Sequence, residues 1–146
     1  MPGAFLAGIL PGGTFRSWGK DKVDGVSLYL TNVQKARNFS HSTWHNRQHI
    51  FIKIQSGRHS GWAEALANKN NLDFDIANWG RFFNELKGMS VAEAIDYSRN
   101  KFLSGQWVHK MSEPALMALY DVLGKGADKP TIELWGLDER KPVPGL

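Results

Sequence analysis

Three histidines stand four residues apart in HSTWHNRQH: His41, His45 and His49. On a helix that spacing would stack three imidazoles on one face, where they could ligate a transition metal. The flanking sequence argues for strands instead, and in a loop between strands a spacing of four brings nothing together. The segment therefore reads as a polar loop rich in imidazole and aromatic groups. Gly124-Lys125-Gly126 gives a second hint, of a phosphate loop. Such a loop needs a Ser or Thr after the Lys, a strand before it and a helix after it. Here a helical pattern precedes and Gly126 follows, so the glycines read as a helix stop. Glu64 and Asp121 are the acids expected to face inward, and together they would suggest a carboxylate pair for acid–base work. Each stands alone on its element, however, so backbone donors or a basic neighbour are its expected partners. No catalytic residue and no metal ligand is assigned.

Any such groups must be held by the surrounding elements. VDGVSLYLTNV alternates, with Val26, Leu28 and Leu30 on one face and Ser27, Tyr29 and Thr31 on the other, as a half-buried strand does. QHIFIKIQS repeats the pattern with Ile50, Ile52 and Ile54. SGRHSG supplies a turn and GWAEAL a third strand, leaving Ala36–Arg47 as a long interruption. After Leu66 the period changes, and LANKNNLDF reads as loop. DIANWGRFFNELKG sets Ile76, Trp79, Phe83 and Leu86 along one helical stripe between an Asp75 cap and a Gly88 stop. SVAEAIDYSRNKFL opens with a capping box, Ser90 and Glu93. In SEPALMALYDVLG, Ser112 is the expected cap, Pro114 falls in the first turn and Gly124 ends the helix; a short helix then closes on Gly136. Strands first and helices after define an α+β chain, a three-stranded antiparallel meander followed by a bundle of three to four helices.

The totals narrow the function classes. A chain of 146 residues, 42% apolar with six Trp, can bury one core. Without cysteine it has no disulfide, thiolate metal site or cysteine nucleophile, which suits the cytoplasm, its expected location. The net charge is +4, but the basic residues are scattered, so no nucleic-acid interface is expected. The apolar run Ala4–Leu10 has no basic residue before it and meets Pro11-Gly12-Gly13, a pattern of neither a signal peptide nor a membrane span. Residues 1–22 are expected to be a flexible or loosely docked arm, and 23–146 a single domain.

The order of the later pieces carries a resemblance. IFIKIQSG, GWAEAL, a polar loop, WGRFFNELKGMSVAEA and EPALMALYDVLGKGADKPTIELWGLDERKPVP together resemble the N-terminal capping domain of the enolase superfamily, in its mandelate racemase/muconate lactonizing branch. Gly61, Trp62, Glu64 and Ala65 match that branch's Gly-Trp-Gly-Glu-Ala, and Ala63 departs from it. Ala118, Leu119, Asp121, Gly124, Lys125, Pro130, Gly136, Arg140, Val143 and Pro144 match its following series, whereas Trp135 and Leu137 replace Leu and Gly.

That resemblance implies an enolase N-terminal domain-like fold packed on a (β/α)₇β barrel. It also implies that the barrel, not this domain, holds Mg²⁺ and the bases that remove a proton α to a carboxylate. By itself the chain is then expected to be inactive. A barrel takes about 250 residues, and none of its ligands falls within these 146. Two loops of such a domain close over the pocket; by position they are Ala36–Arg47 and Leu66–Phe74. Ser40, His41, Thr43, Trp44 and His45 on the first loop and Asn68 on the second are the candidate substrate-binding residues. Their hydroxyl, imidazole, indole and amide groups suit a small carboxylate such as a hydroxy acid or sugar acid. A barrel domain and a second copy of the chain are the expected partners, and no membrane is.

Overall fold

The computed structural model describes residues 19–136. Five strands open it: β1 (Gly25–Val33), β2 (Arg37–Asn38), β3 (Thr43–Trp44), β4 (Arg47–Ser56) and β5 (His59–Lys69). β1, β4 and β5 form an antiparallel sheet in the order β1-β4-β5, with Leu28 opposite Ile52 and Ile52 opposite Ala63. The period-2 pattern sends Ile50, Ile52 and Ile54 into the core, each with no exposed surface. Tyr29, Phe51, Lys53, Trp62 and Glu64 take the opposite face. The β4–β5 turn is two residues long, with Gly57 first and at φ +56°, the backbone sign that a tight hairpin needs there.

Two expectations about the loops are corrected. Leu66–Lys69 is strand rather than loop, because Ala67 enters as a β-bulge opposite Gln48 and His49 and lets pairing resume at Asn68 and Lys69. Polar composition there reflects the exposed end of the sheet, and the turn begins only at Asn70, φ +67°. The interruption Ala36–Arg47 also contains structure: β2 and β3 pair as a small hairpin, and Arg47 already belongs to β4.

Four helices follow among the described residues: α1 (Ile76–Asn84), α2 (Val91–Leu103), α3 (His109–Ala127) and α4 (Thr131–Leu134). Asp75 caps α1 by accepting from the Asn78 N–H at 2.9 Å. Trp79 and Phe83 are buried on the expected stripe, and Leu86 is buried in the turn beyond the helix end. The capping box of α2 is formed: Ser90 Oγ accepts from the Glu93 N–H at 3.1 Å and Glu93 accepts from the Ser90 N–H at 2.8 Å. The Ser90 N–H first, and the Ser90 hydroxyl after it, hold the Glu93 carboxyl below its ordinary range. Gly19 and Asp21 present carbonyls to the Ala92 and Val91 N–H groups, so this end of the expected arm satisfies donors of the α2 first turn. Residues 1–18 of that arm, with Arg140, Val143 and Pro144, lie outside the described residues.

α3 is longer than the sequence reading. Ser112 is no cap; it is buried inside the helix and donates its hydroxyl to the Val108 carbonyl at 3.3 Å. The buried Trp107 and Met111 anchor an extra turn, which places Pro114 in the helix interior. Gly124 does not end the helix either; Asp128, at φ +53°, does. Gly124 serves a close approach instead, since a Cβ there would stand 2.6 Å from the Lys129 carbonyl oxygen as the chain folds back.

α3 lies across β5, and the contact tolerates no side chain at Gly61. A Cβ on Gly61 would meet the Ala118 carbonyl oxygen at 1.9 Å and the Val122 nitrogen at 2.6 Å. The rest of the strand edge is clasped by polar groups of the same helix. Asp121 accepts from the Trp62 N–H at 2.9 Å, Lys125 donates to the Ser60 carbonyl at 2.8 Å, and Lys110 donates to the Ala67 carbonyl at 2.9 Å. Backbone groups that would otherwise template a further strand are thereby occupied. A run of edge-to-face rings, Phe74, Trp79, Phe83, Trp107 and Tyr97, at centroid distances from 4.9 to 6.0 Å, ties the second loop to α1, to α2 and to the segment that leads into α3.

Gly61→Ala is expected to destabilise the chain by about 3 kcal/mol or more in urea unfolding, because backbone must move. Gly126→Ala, in α3 with open space around it, should stabilise by about 0.5–1 kcal/mol. The α2 cap adds a pH prediction. The folded-state pKa of Glu93 is lowered, so the cap contributes fully above the ordinary Glu pKa and loses its effect as pH falls through the folded value. Glu93→Gln should remove that portion of the acid limb of stability.

Candidate functional site

The two loops meet at one end of the sheet, and buried Gln48 holds them there. Its amide donates to Asn32 Oδ1 at 3.0 Å at the end of β1 and accepts from the Phe74 N–H at 2.9 Å just before α1. Both ends of a side chain only 1% exposed are thus satisfied. Gln48 occupies an inward position in the Ile50, Ile52, Ile54 series. A polar residue in a core register is the signal that could have singled it out.

Direct bonds then join one loop to the other. The His45 N–H donates to Asn70 Oδ1 at 3.1 Å, and the Asn70 N–H donates to the Asn46 carbonyl at 2.6 Å. Within the β2–β3 hairpin Thr43 Oγ1 donates to Asn38 Oδ1 at 3.0 Å, and the Phe39 N–H donates to the Ser42 carbonyl. Trp44 packs on Phe39 at 4.6 Å between centroids, and the Lys69 ammonium lies 5.0 Å from the Trp44 ring centre. Asn68 donates to Asp73 at 2.8 Å, bracing the second loop internally.

Of the six candidate residues, Thr43, Trp44, His45 and Asn68 belong to this bonded neighbourhood. Ser40 and His41 are exposed at the tip of the hairpin. The three histidines do not converge. His49 turns to the outer sheet face, where its Nδ1 stands 2.8 Å from Glu64 Oε1, and among the described residues no group of three or more His, Asp or Glu could hold a metal ion. Glu64 is corrected from inward to outward, its side chain 54% exposed. Asp121 is engaged by the Trp62 N–H and by Lys125 at 2.7 Å, a basic neighbour as expected. No contact joins the two acids. Sequence reasoning missed Asn70 and Phe39, whose roles depend on which strands pair; Lys69, which shares the second loop with Asn68, was within its reach.

This is a surface that can orient a polar ligand by hydrogen bonds and rings.

No protein-family model matches the sequence, and no curated protein matches it. Solved structures do match in fold. An enolase from Bradyrhizobium, crystallised with magnesium and mandelic acid, superposes with a TM-score of 0.60 at 17% identity, covering 80% of this chain and 35% of that one. An enolase from the alphaproteobacterium BAL199 with bound magnesium gives 0.60, also at 17% identity, with coverages of 79% and 34%. A mandelate racemase/muconate lactonizing enzyme-type protein from Roseovarius nubinhibens gives 0.61 at 18% identity, with coverages of 84% and 36%. The fold is therefore the α+β, enolase N-terminal domain-like one, and the chain spans about a third of the length of the structures it matches. Among the described residues, no helix is long and apolar enough to cross a membrane.

Asn70→Gly keeps the positive φ and removes the amide that His45 uses. The His45 N–H should then exchange with deuterated solvent about 5–10 times faster, the loss of one hydrogen bond of about 1 kcal/mol, while the Ile52 amide is unchanged.

Proposed function

We propose that this chain supplies the specificity cap of a magnesium-dependent enzyme of the mandelate racemase/muconate lactonizing type: a racemase, cycloisomerase or acid-sugar dehydratase. The observation that carries the reading is the coupling of the two loops by His45, Asn46 and Asn70 in a fold shared with enolases. A single bonded surface can close over a pocket floor that another domain provides. Ser40, His41, Thr43, Trp44, His45 and Asn68 would contact the part of a small carboxylate substrate that points away from the reacting carbon. Metal and base belong to a barrel, in the same or another chain. Bound there, Mg²⁺ would stabilise the negative charge that develops when a proton leaves the α-carbon. The cap's own contribution is to orient the substrate and exclude water.

A second reading has one observation in its favour. Phe102, Leu103, Leu116, Met117, Tyr120 and Trp135 line an apolar cleft of about 510 Å³ between α2 and α3, with Leu103 and Met117 more than half exposed. Such a surface suits a module that binds a partner or a second copy of itself.

The test uses the protein purified from its native source with everything attached to or associated with it. A barrel should be present, and the assembly should exchange the α-hydrogen of a carboxylate for deuterium only with Mg²⁺. Trp44→Ala should lower kcat/KM about tenfold or more while leaving metal affinity unchanged. The 146-residue chain alone should give no exchange. Absence of any barrel, or exchange by the chain alone, contradicts the proposal.

A further inference from the structure

Beside the two loops lies a group of three cations, Arg37, Arg47 and Lys69. Arg47 on β4 and Lys69 on β5 are direct cross-strand partners, and like charges placed opposite one another destabilise a sheet. Lys69 rests on the Trp44 ring, Trp44 packs on Phe39, and Arg37 covers Phe39 at 5.6 Å from its centre. Arg37, Lys69 and Arg47 are therefore linked through one run of contacts along the rim of the candidate site. Glu64 pairs with His49 and Asp73 with Asn68, and among the described residues no acid forms an ion pair with these three cations. The Arg47 Nε is buried without a hydrogen-bond partner, so an anion would have to meet Arg47 at the outer end of its guanidinium.

We infer that Arg37, Arg47 and Lys69 form a binding site for an anionic group, a carboxylate or a phosphate. Such a group would accept from the guanidinium of Arg47 and relieve the repulsion between Arg47 and Lys69. The anion site stands on these residues alone. Its place in a reaction rests on the capping role proposed above: with one carboxylate at the reacting carbon, an anion held here gives the substrate a second anionic group at its far end. The site selects against substrates whose far end is neutral, because the cations would then be covered without a counter-charge.

Calorimetric titration and thermal unfolding of the whole chain test the site with inorganic phosphate and with succinate, each against sodium chloride of equal ionic strength. Saturable binding and a rise in Tm are expected with at least one of the two anions. Preference for phosphate marks a phosphorylated substrate; preference for succinate marks a dicarboxylate. Arg47→Gln and Lys69→Gln should each weaken binding about tenfold, whereas Lys53→Gln, lower on the same sheet face beside Trp62, should leave it unchanged. Should Arg47→Gln fail to fold, Lys69→Gln and Arg37→Gln decide the matter. Equal effects of chloride, phosphate and succinate overturn the inference, as does equal weakening by Lys53→Gln. Failure here leaves the capping role intact, since a barrel partner is sought independently. Binding by a chain that has no barrel would keep the anion site and remove its place in a reaction.

Discussion

The close approach of α3 to β5 at Gly61 is the constraint on which the rest of this structure depends. A helix backbone within contact distance of a strand backbone leaves space for hydrogen alone, and that contact fixes the height and angle of α3 above the sheet. Asp121, Lys125 and Lys110 then become bonds between helix and strand edge rather than surface charges. Gly61, Asp121 and Lys125, which carry part of the sequence resemblance, are explained by this clasp, and Gly124 by the return of the chain at Lys129. They are residues of architecture. Their agreement with an enzyme family's pattern reports a shared way of seating a helix on a sheet.

With α3 fixed, the aromatic series from Phe74 to Tyr97 connects the site to the helical layer. Edge-to-face pairs of this kind are worth about 0.5–1.5 kcal/mol each beyond their burial, and they are directional. Phe74 is held at the base of the second loop by its ring contact with Trp79 and by the bond from its N–H to Gln48. The loops are thus built on rigid neighbours while their outer side chains stay free to meet a ligand. That division is what the proposed capping role requires.

The division also explains what the sequence could disclose. Periodicity gave β1 and β4 and the buried stripe of α1, because each buries one face against one core. Ser90 and Glu93 were legible because a capping box is local. α3 was misread at both ends because tertiary packing overrode local signals: Trp107 and Met111 extend it backward, and Gly124 serves a close approach rather than a stop. Leu66–Lys69 was misread because a bulge is a property of two strands, invisible in either alone. For the same reason the site was only half legible. Residue chemistry marked out Thr43, Trp44, His45 and Asn68, but Lys69 and Arg47 become neighbours only through the β4–β5 register.

A crystal structure of the native assembly with a carboxylate ligand bound is the most direct measurement of the central claim. The account predicts that the hairpin carrying Trp44 and the turn carrying Asn70 sit together over the mouth of a barrel, with Trp44 or His45 in contact with the ligand, within about 4.5 Å. Loops turned away from the ligand, with the α2–α3 cleft facing it instead, would contradict the account.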